Sequence, residues 1–286
     1  MHQSLLFPNY TSIKQLINSY LLKTLSVYTS DRAILSIGST KVPLYLDGDG
    51  KKIIYISSMA MRMATSHISP LETARAIASH FSRGCEGLFT VKTDVSGKIY
   101  IELIHSTLAN WLQNFTQGSV PWEIKETIVK SSHDVPIIFQ MQYVHARCYS
   151  ILRLSLREEL INLCETSINT NSCFPSFVTT QPIPWLNSEQ QLCLQQPEEM
   201  ALIQVLLKIV DDWVCPPSDR PIKWEQAGVK LAQAWEKFSA HCRIWGEVRI
   251  NSPNLSQARL GLLIMTQLVL KAVLEEKLGV IAPIEL

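Results

Sequence analysis

The chain has 286 residues, 47% of them apolar and 18% charged, a balance that excludes global disorder. Its 26 Lys/Arg against 25 Asp/Glu leave a net charge of only +1, which argues against a uniformly basic nucleic-acid binder. The charge is uneven: residues 1–118 hold 11 basic and 7 acidic side chains (+4), and residues 119–286 hold 15 and 18 (−3).

Apolar residues at helical spacing, Ile13, Leu16, Ile17, Tyr20, Leu21 and Leu25, predict a helix over Ser12–Val27, with Thr11 or Ser12 as its N-cap. Short β-like runs follow at Ala33–Ile37 and Val42–Leu46, before the turn Asp47-Gly48-Asp49-Gly50. From Ile53 to Met63 the residues pass from β-branched to helix-forming. Ser69-Pro70-Leu71-Glu72 is a helix start, with Ser at the N-cap, Pro in the first turn and an acid near the positive end of the dipole. That helix is expected to reach Phe81 and stop near Gly84. Phe89–Thr93 and Lys98–Ile104 flank Asp94–Gly97 as a hairpin, and a helix carrying Leu108, Trp111, Leu112 and Phe115 ends before Gly118.

Beyond Pro136 the strand signals mostly vanish. Helical periods cover Ile138–Thr166, Glu198–Val214, Trp224–Gly246 and Ser256–Leu278. Ser167–Gln196, rich in Asn, Ser, Thr, Pro and Gln, reads as a long loop. The expected fold class is α+β: a small N-terminal α/β domain over 1–118, a connector over 119–135, and an all-α helical bundle over 136–286. The connector holds Val120, Trp122, Ile124, Ile128 and Val129, too apolar for a free linker.

Charged residues break the longest apolar runs before about 18 residues, so no membrane span is expected. The first residues show no basic region followed by an apolar core, so no secretory signal is expected. The seven cysteines, Cys85, Cys148, Cys164, Cys173, Cys193, Cys215 and Cys242, form no Cys-x-x-Cys pair. They imply no zinc site and no disulfide framework, and a cytoplasmic, reducing setting. No metal-ligand spacing and no Gly-x-x-x-x-Gly-Lys phosphate loop occurs, so no cofactor is expected.

Three segments of the helical part carry a family resemblance. Tyr143-Val144-His145-Ala146-Arg147 resembles the Tyr-x-His-Ala-Arg helix of class I arginyl-tRNA synthetases. Leu231-Ala232 through Trp235 and Phe238 to Cys242-Arg243-Ile244-Trp245-Gly246 is similar to that family's Leu-Ala-x-x-Phe pattern followed by Cys-Arg-Val-x-Gly. Ala258-Arg259-Leu260, with the ending Leu278-Gly279-Val280 and Pro283, looks like the close of its DALR-type anticodon-binding domain. The N-terminal part resembles the family's additional N-terminal domain more weakly, through Tyr55–Ala64, Ser69–Glu72 and Gly97–Ile101. It has Ile53-Ile54-Tyr55 where the family has Gly-Asp-Tyr. Neither a His-x-Gly-His motif nor a Lys-Met-Ser-Lys-Ser loop occurs in the chain. The connector is also far shorter than the 100 or so residues that a nucleotide-binding domain needs.

The resemblance implies a non-catalytic, tRNA-binding adaptor, plausible for arginine tRNA, that presents the RNA to a partner protein such as a tRNA-modifying enzyme or a synthetase. Two alternatives stand beside it: a protein-interaction scaffold that has lost RNA binding, and a non-catalytic subunit assisting aminoacylation in trans. The candidate RNA contacts are Tyr143, Arg147 and Arg153 on one helix, then Arg243, Trp245 and Arg249, with Lys51, Lys52 and Arg62 in the N-terminal part. Each has a plainer alternative. Tyr143 and Arg147 share a helix face and could instead pack or cap, His145 lies roughly 200° away on the same helix, Arg153 could belong to a solvated helix face, and Trp235 and Phe238 have the spacing of core residues. Surface charges are commonly just solvated.

Overall fold

The computed structural model describes residues 11–31, 42–47, 52–64, 68–85, 87–122, 135–166 and 176–286, with the backbone alone at 28–31, 135, 165 and 166. The chain divides into two compact units, Met1–Leu108 and Ala109–Leu286. The division falls inside a helix, ahead of Gly118.

In the first unit, α1 (Ile13–Asp31) buries Ile13, Leu16, Ile17, Leu21 and Leu25, the stripe that the sequence spacing predicts. Ser12 Oγ caps it by accepting from the Gln15 N–H at 3.1 Å. Strands β1 (Leu44–Asp47), β2 (Ile54–Ser57), β3 (Phe89–Thr93) and β4 (Ile99–Leu103) form an antiparallel sheet in the order β1-β2-β4-β3. Tyr55 stands opposite Ile101 in this register, and both are fully buried. Short helix α2 (Met59–Met63) and α3 (Pro70–Gly84) join them. The α3 start is a full capping box: Ser69 accepts from the Glu72 N–H, and Glu72 accepts from the Ser69 N–H. The other end of α3 brings Phe81 against Phe89, with ring centroids 5.9 Å apart, and Tyr20 of α1 against Phe81 at 6.3 Å.

The β3–β4 turn is tied by Asp94, whose carboxylate accepts from Ser96 Oγ, the Lys98 N–H and Tyr100 Oη. The Ser96 hydroxyl, then the Lys98 N–H, hold its pKa below the usual value. Gly97 has φ +86°, and an added Cβ would lie 2.7 Å from Pro70, so the turn excludes a side chain. Of the elements expected here, Ala33–Ile37 and the residues Gly48–Gly50 lie outside the described residues.

Helix α4 (His105–Thr116) passes from the first unit into the second. The second unit then holds α5 (Val135–Arg157), α6 (Pro197–Val214), α7 (Trp224–His241), α8 (Glu247–Asn251) and α9 (Pro253–Ala272), which continues as a π-helical segment through Lys277. Helix α9 is the axis of this bundle: every residue from Ala258 to Ala272 is buried, and α5, α6, α7 and α8 all pack on it. By length and composition Pro253–Lys277 could cross a membrane, but 94% of its most apolar window is buried inside the protein, as in a core helix.

Two sequence expectations for this unit need correction. The first helix stops at Arg157 rather than running to Thr166. Two carboxylates, Glu158 and Glu159, sit at its negative dipole end, and Glu159 adopts φ 53°. The part beyond 136 is also not purely helical, because β5 (Leu163–Thr166) pairs antiparallel with β6 (Ser176–Thr179). Ser176-Phe177-Val178-Thr179 lay within the expected loop. Its strand is held by burial of Phe177 against Tyr149, with ring centroids 4.8 Å apart.

The remaining loop to Gln196 is packed, with Ile183, Trp185, Leu192 and Leu194 buried. Gln113 Oε1 accepts from the Ile183 N–H at 2.8 Å and from Trp185 Nε1 at 3.1 Å. Trp185 presses so closely on α9 that a Cβ on Gly261 would meet its ring at 2.3 Å. Trp122 of the expected connector is buried beside Phe115 and Trp213, at 5.6 and 5.1 Å between ring centroids; residues 123–134 lie outside the described residues.

Candidate nucleic-acid interface

Helix α5 separates its residues by period. Met141, Val144, His145, Cys148 and Leu152 face inward and are fully buried, whereas Tyr143 and Arg147 are exposed one turn apart. Phe139, one turn before Tyr143, is 55% exposed, and Tyr143 is 48% exposed. The outward face thus carries two aromatic rings and a guanidinium in series, four residues apart. Phe139 was missed in the sequence because it reads as one more apolar residue of a core stripe. Its 139–143–147 spacing was the available signal.

His145 is structural. A carbonyl oxygen can only accept, so the ring donates from Nδ1 to the Pro283 carbonyl at 2.8 Å, and Nε2 accepts from the Gln267 amide at 2.9 Å. Burial, reinforced by the nearby Lys271 charge, pushes its pKa down to about 4 against the opposing Pro283 hydrogen bond. A neutral, solvent-inaccessible imidazole with both nitrogens engaged has no acid–base role; it ties α5 to α9 and to the C-terminal segment.

The remaining candidates divide by partner. Arg153 lies 3.4 Å from Glu285, Arg249 lies 2.9 Å from Glu158, and Lys52 lies 2.6 Å from Glu102. These pairs are partly exposed to water, so each is weak enough to exchange a carboxylate for a phosphate. Arg147, Arg243 and Arg62 are exposed and make no ion pair among the described residues. Lys51 lies outside the described residues. Lys52 and Arg62 belong to the first unit, and all the other placed candidates belong to the second.

Arg243 and Trp245 sit on the turn between α7 and α8. That turn is anchored from beneath by Arg259, which pairs with Glu199 at 2.7 Å while its Nη1 donates to the Arg243 carbonyl. Neither partner is more than 6% exposed, so this pair is part of the core. Ser256 Oγ adds a bond to the Ile244 carbonyl at 2.8 Å. The arginine of the Ala258-Arg259-Leu260 segment therefore positions backbone and is not itself presented to solvent.

Arg243 and Trp245 line a cleft of about 110 Å³ with Ile151, Trp235 and Phe238 among its walls. Trp235 and Phe238 are buried, as core spacing predicts, yet Trp235 still forms part of the wall. A wider cleft of about 390 Å³ lies between α6 and α7, walled by Ala201, Val205 and Ala234 and bordered by Glu198, Lys230 and Lys237. Sequence reading found neither cleft, because both are made by residues far apart in the chain.

Comparison with known proteins gives two curated relatives. The chain is 35% identical over 156 residues to an arginine–tRNA ligase of Synechococcus sp. (strain JA-3-3Ab), covering 54% of this chain and 23% of the relative. It is 31% identical over 139 residues to an arginine–tRNA ligase of Gloeobacter violaceus (strain ATCC 29082 / PCC 7421), covering 48% of this chain and 20% of the relative. No family model and no solved structure matches. The matched stretches thus span only about a fifth of the length of these relatives, and over about half of its own length this chain is arginine–tRNA ligase-like.

Proposed function

We propose that this chain is a non-catalytic tRNA-binding adaptor that holds an RNA, arginine tRNA first among the candidates, and presents it to a partner enzyme. The observation that carries the reading is the exposed Phe139–Tyr143–Arg147 face of α5. Two outward rings offer stacking surfaces to unpaired bases, and the guanidinium offers a phosphate contact one turn on. The similarity to arginine–tRNA ligases supplies the class of RNA. No aminoacylation chemistry is proposed, since the 286 residues contain neither of the two motifs expected of the synthetase active site.

Filter binding of tRNA across a salt series tests the adaptor. Affinity should fall steeply as salt rises, because each neutralised phosphate releases counterions. Arg147→Ala and Arg243→Ala should each flatten the slope by about one unit. Binding weaker than about 10 μM at low salt would be nonspecific attraction and would overturn the reading. Arginine-dependent pyrophosphate exchange into ATP above a boiled-protein control would overturn its non-catalytic part.

A scaffold that has lost RNA binding is the second reading. It is favoured by the ion pairs that already occupy Arg153 and Arg249, and by the −3 charge of residues 119–286. A stoichiometric protein partner purified with an empty RNA fraction would select it.

A further inference from the structure

We infer that the outer groove between α6 and α7 docks an amphipathic helix of a protein partner, with acidic residues on one flank of that helix meeting Lys230 and Lys237. This goes beyond the RNA reading and does not depend on it. Helices α6 and α7 pack on each other, and both pack on α9. Two helices in contact leave a groove on either side. Helix α9 lies on the inner side, and the outer groove is the cleft of about 390 Å³. Its floor is Ala201, Val205 and Ala234, all half-buried, and the small alanines let the backbone of a third helix come close.

The rims carry the argument for the occupant, because their charges differ in sign. On α7, Gln226, Lys230, Gln233, Lys237 and His241 are exposed and fall within an arc of roughly 80°. The two acids of this helix, Glu225 and Glu236, lie about 100–120° from the centre of that arc, and Glu236 accepts from Gln140 of α5. Lys230 and Lys237 make no ion pair among the described residues. They stand two turns apart, about 10 Å along the axis, which is the rise between acids at i and i+7 of a partner helix. Residues 119–286 are acidic overall, at −3, so this cationic rim is a local feature. Glu198 stands on the opposite rim and favours a basic or neutral flank. The occupant therefore sets apolar side chains at i, i+4 and i+7 into the groove, with acids along the flank that faces α7. A nucleic-acid strand fits less well, since the floor offers no ring for stacking and Glu198 repels phosphate.

The experiment uses the full chain and two fluorescent synthetic peptides of about four helical turns each, with Ala and Leu along one face. One carries Glu on the flank that faces α7, and the other carries Lys at the same positions. Anisotropy reads binding, and a thermal melt accompanies each protein. A carbodiimide, which joins a carboxylate to an amine as an amide, marks the contact for mass spectrometry. Wild type should bind the Glu peptide at least about tenfold more tightly than the Lys peptide, less so as salt rises, with crosslinks on Lys230 and Lys237. Lys230→Glu combined with Lys237→Glu should reverse the preference at unchanged melting temperature, and Lys230→Gln combined with Lys237→Gln should abolish it.

Equal binding of the two peptides by wild type, or crosslinks confined to other lysines, would overturn the docking groove. Loss of tRNA binding on charge reversal, with no peptide preference in wild type, would make the α7 stripe an RNA surface and overturn it likewise. A concentration-dependent dimer dissolved by charge reversal would put a second copy in the groove and overturn the separate partner. Filter binding of tRNA tests the RNA reading on its own, so either can fail without the other.

Discussion

The second unit contains two arginine–carboxylate pairs of similar length in opposite surroundings. Arg259–Glu199, 2.7 Å, is almost wholly buried; Arg249–Glu158, 2.9 Å, is some 40% exposed on both sides. The chemistry is the same and the consequences are not. In the interior, neither ion can be lost without leaving the other desolvated, so the pair fixes one arrangement of α6, α9 and the Arg243 carbonyl. At the surface, water compensates either partner, so the pair is available for exchange with a phosphate. The same division runs along α5, where His145 is locked inside and Phe139, Tyr143 and Arg147 stand outside.

The largest effect expected from this contrast follows Glu199→Ala. Leaving Arg259 buried and unpaired should cost about 3–5 kcal/mol of stability, read as a loss in a denaturant or thermal melt. A cost below about 1 kcal/mol would put the pair in the solvent-screened class and erase the contrast.

The pH dependence of His145 comes next. Its folded pKa of about 4 lies below the ordinary 6.5, so between these values the unfolded chain binds a proton that the folded protein does not. Stability from this group is therefore complete above about pH 6.5 and falls as pH drops toward 4. The expected loss between pH 7 and about 4.5 is roughly 2–3 kcal/mol. Thermal melts across this range should show a shallower decline for His145→Gln than for wild type. Parallel curves would mean that the imidazole is protonated in place and that its setting is less closed than the structure shows.

On the outer face, Tyr143→Ala and Phe139→Ala should each weaken tRNA binding by about 1–3 kcal/mol while leaving the melting temperature unchanged. A fall in melting temperature without a fall in affinity would assign those rings to packing. The smallest effect belongs to Glu158→Gln, which releases Arg249 from its partner. Stability should change by less than about 1 kcal/mol. In filter binding, tRNA affinity should rise slightly at low salt, with a steeper salt slope as Arg249 turns to phosphate. An unchanged slope would place Arg249 outside the RNA surface.

Much of the local structure was legible in the residues. Ser69-Pro70-Leu71-Glu72 specified the start of α3, and Asp94–Gly97 specified the β3–β4 turn, because capping and turn geometry involve atoms only a few residues apart. The α6 period was read to within one residue of its ends and α7 from its first residue, since buried stripes repeat at the helical period, but α7 stops at His241, five residues short of the expected Gly246. The β5–β6 hairpin was not legible. A four-residue strand in a polar stretch has no period of its own, and only the burial of Phe177 against Tyr149 settles it. The end of α5 was overrun because apolar residues continue at helical spacing past Arg157, while the two carboxylates there break it.

The candidate surface shows the same limit. The sequence by itself determined which side chains could stack on bases or bind phosphate, and that Tyr143 and Arg147 share one face of a helix, because helical period alone sets that. Only the tertiary structure decided the rest: that His145 is closed inside by Gln267 and Pro283, that Arg153 and Arg249 meet carboxylates 132 and 91 residues away, and that Trp235 and Trp245 line one cleft. Such pairings depend on which distant segments α9 gathers around itself, and burial, the physical quantity that turns a charge or a ring into structure or into surface, is set by that gathering alone.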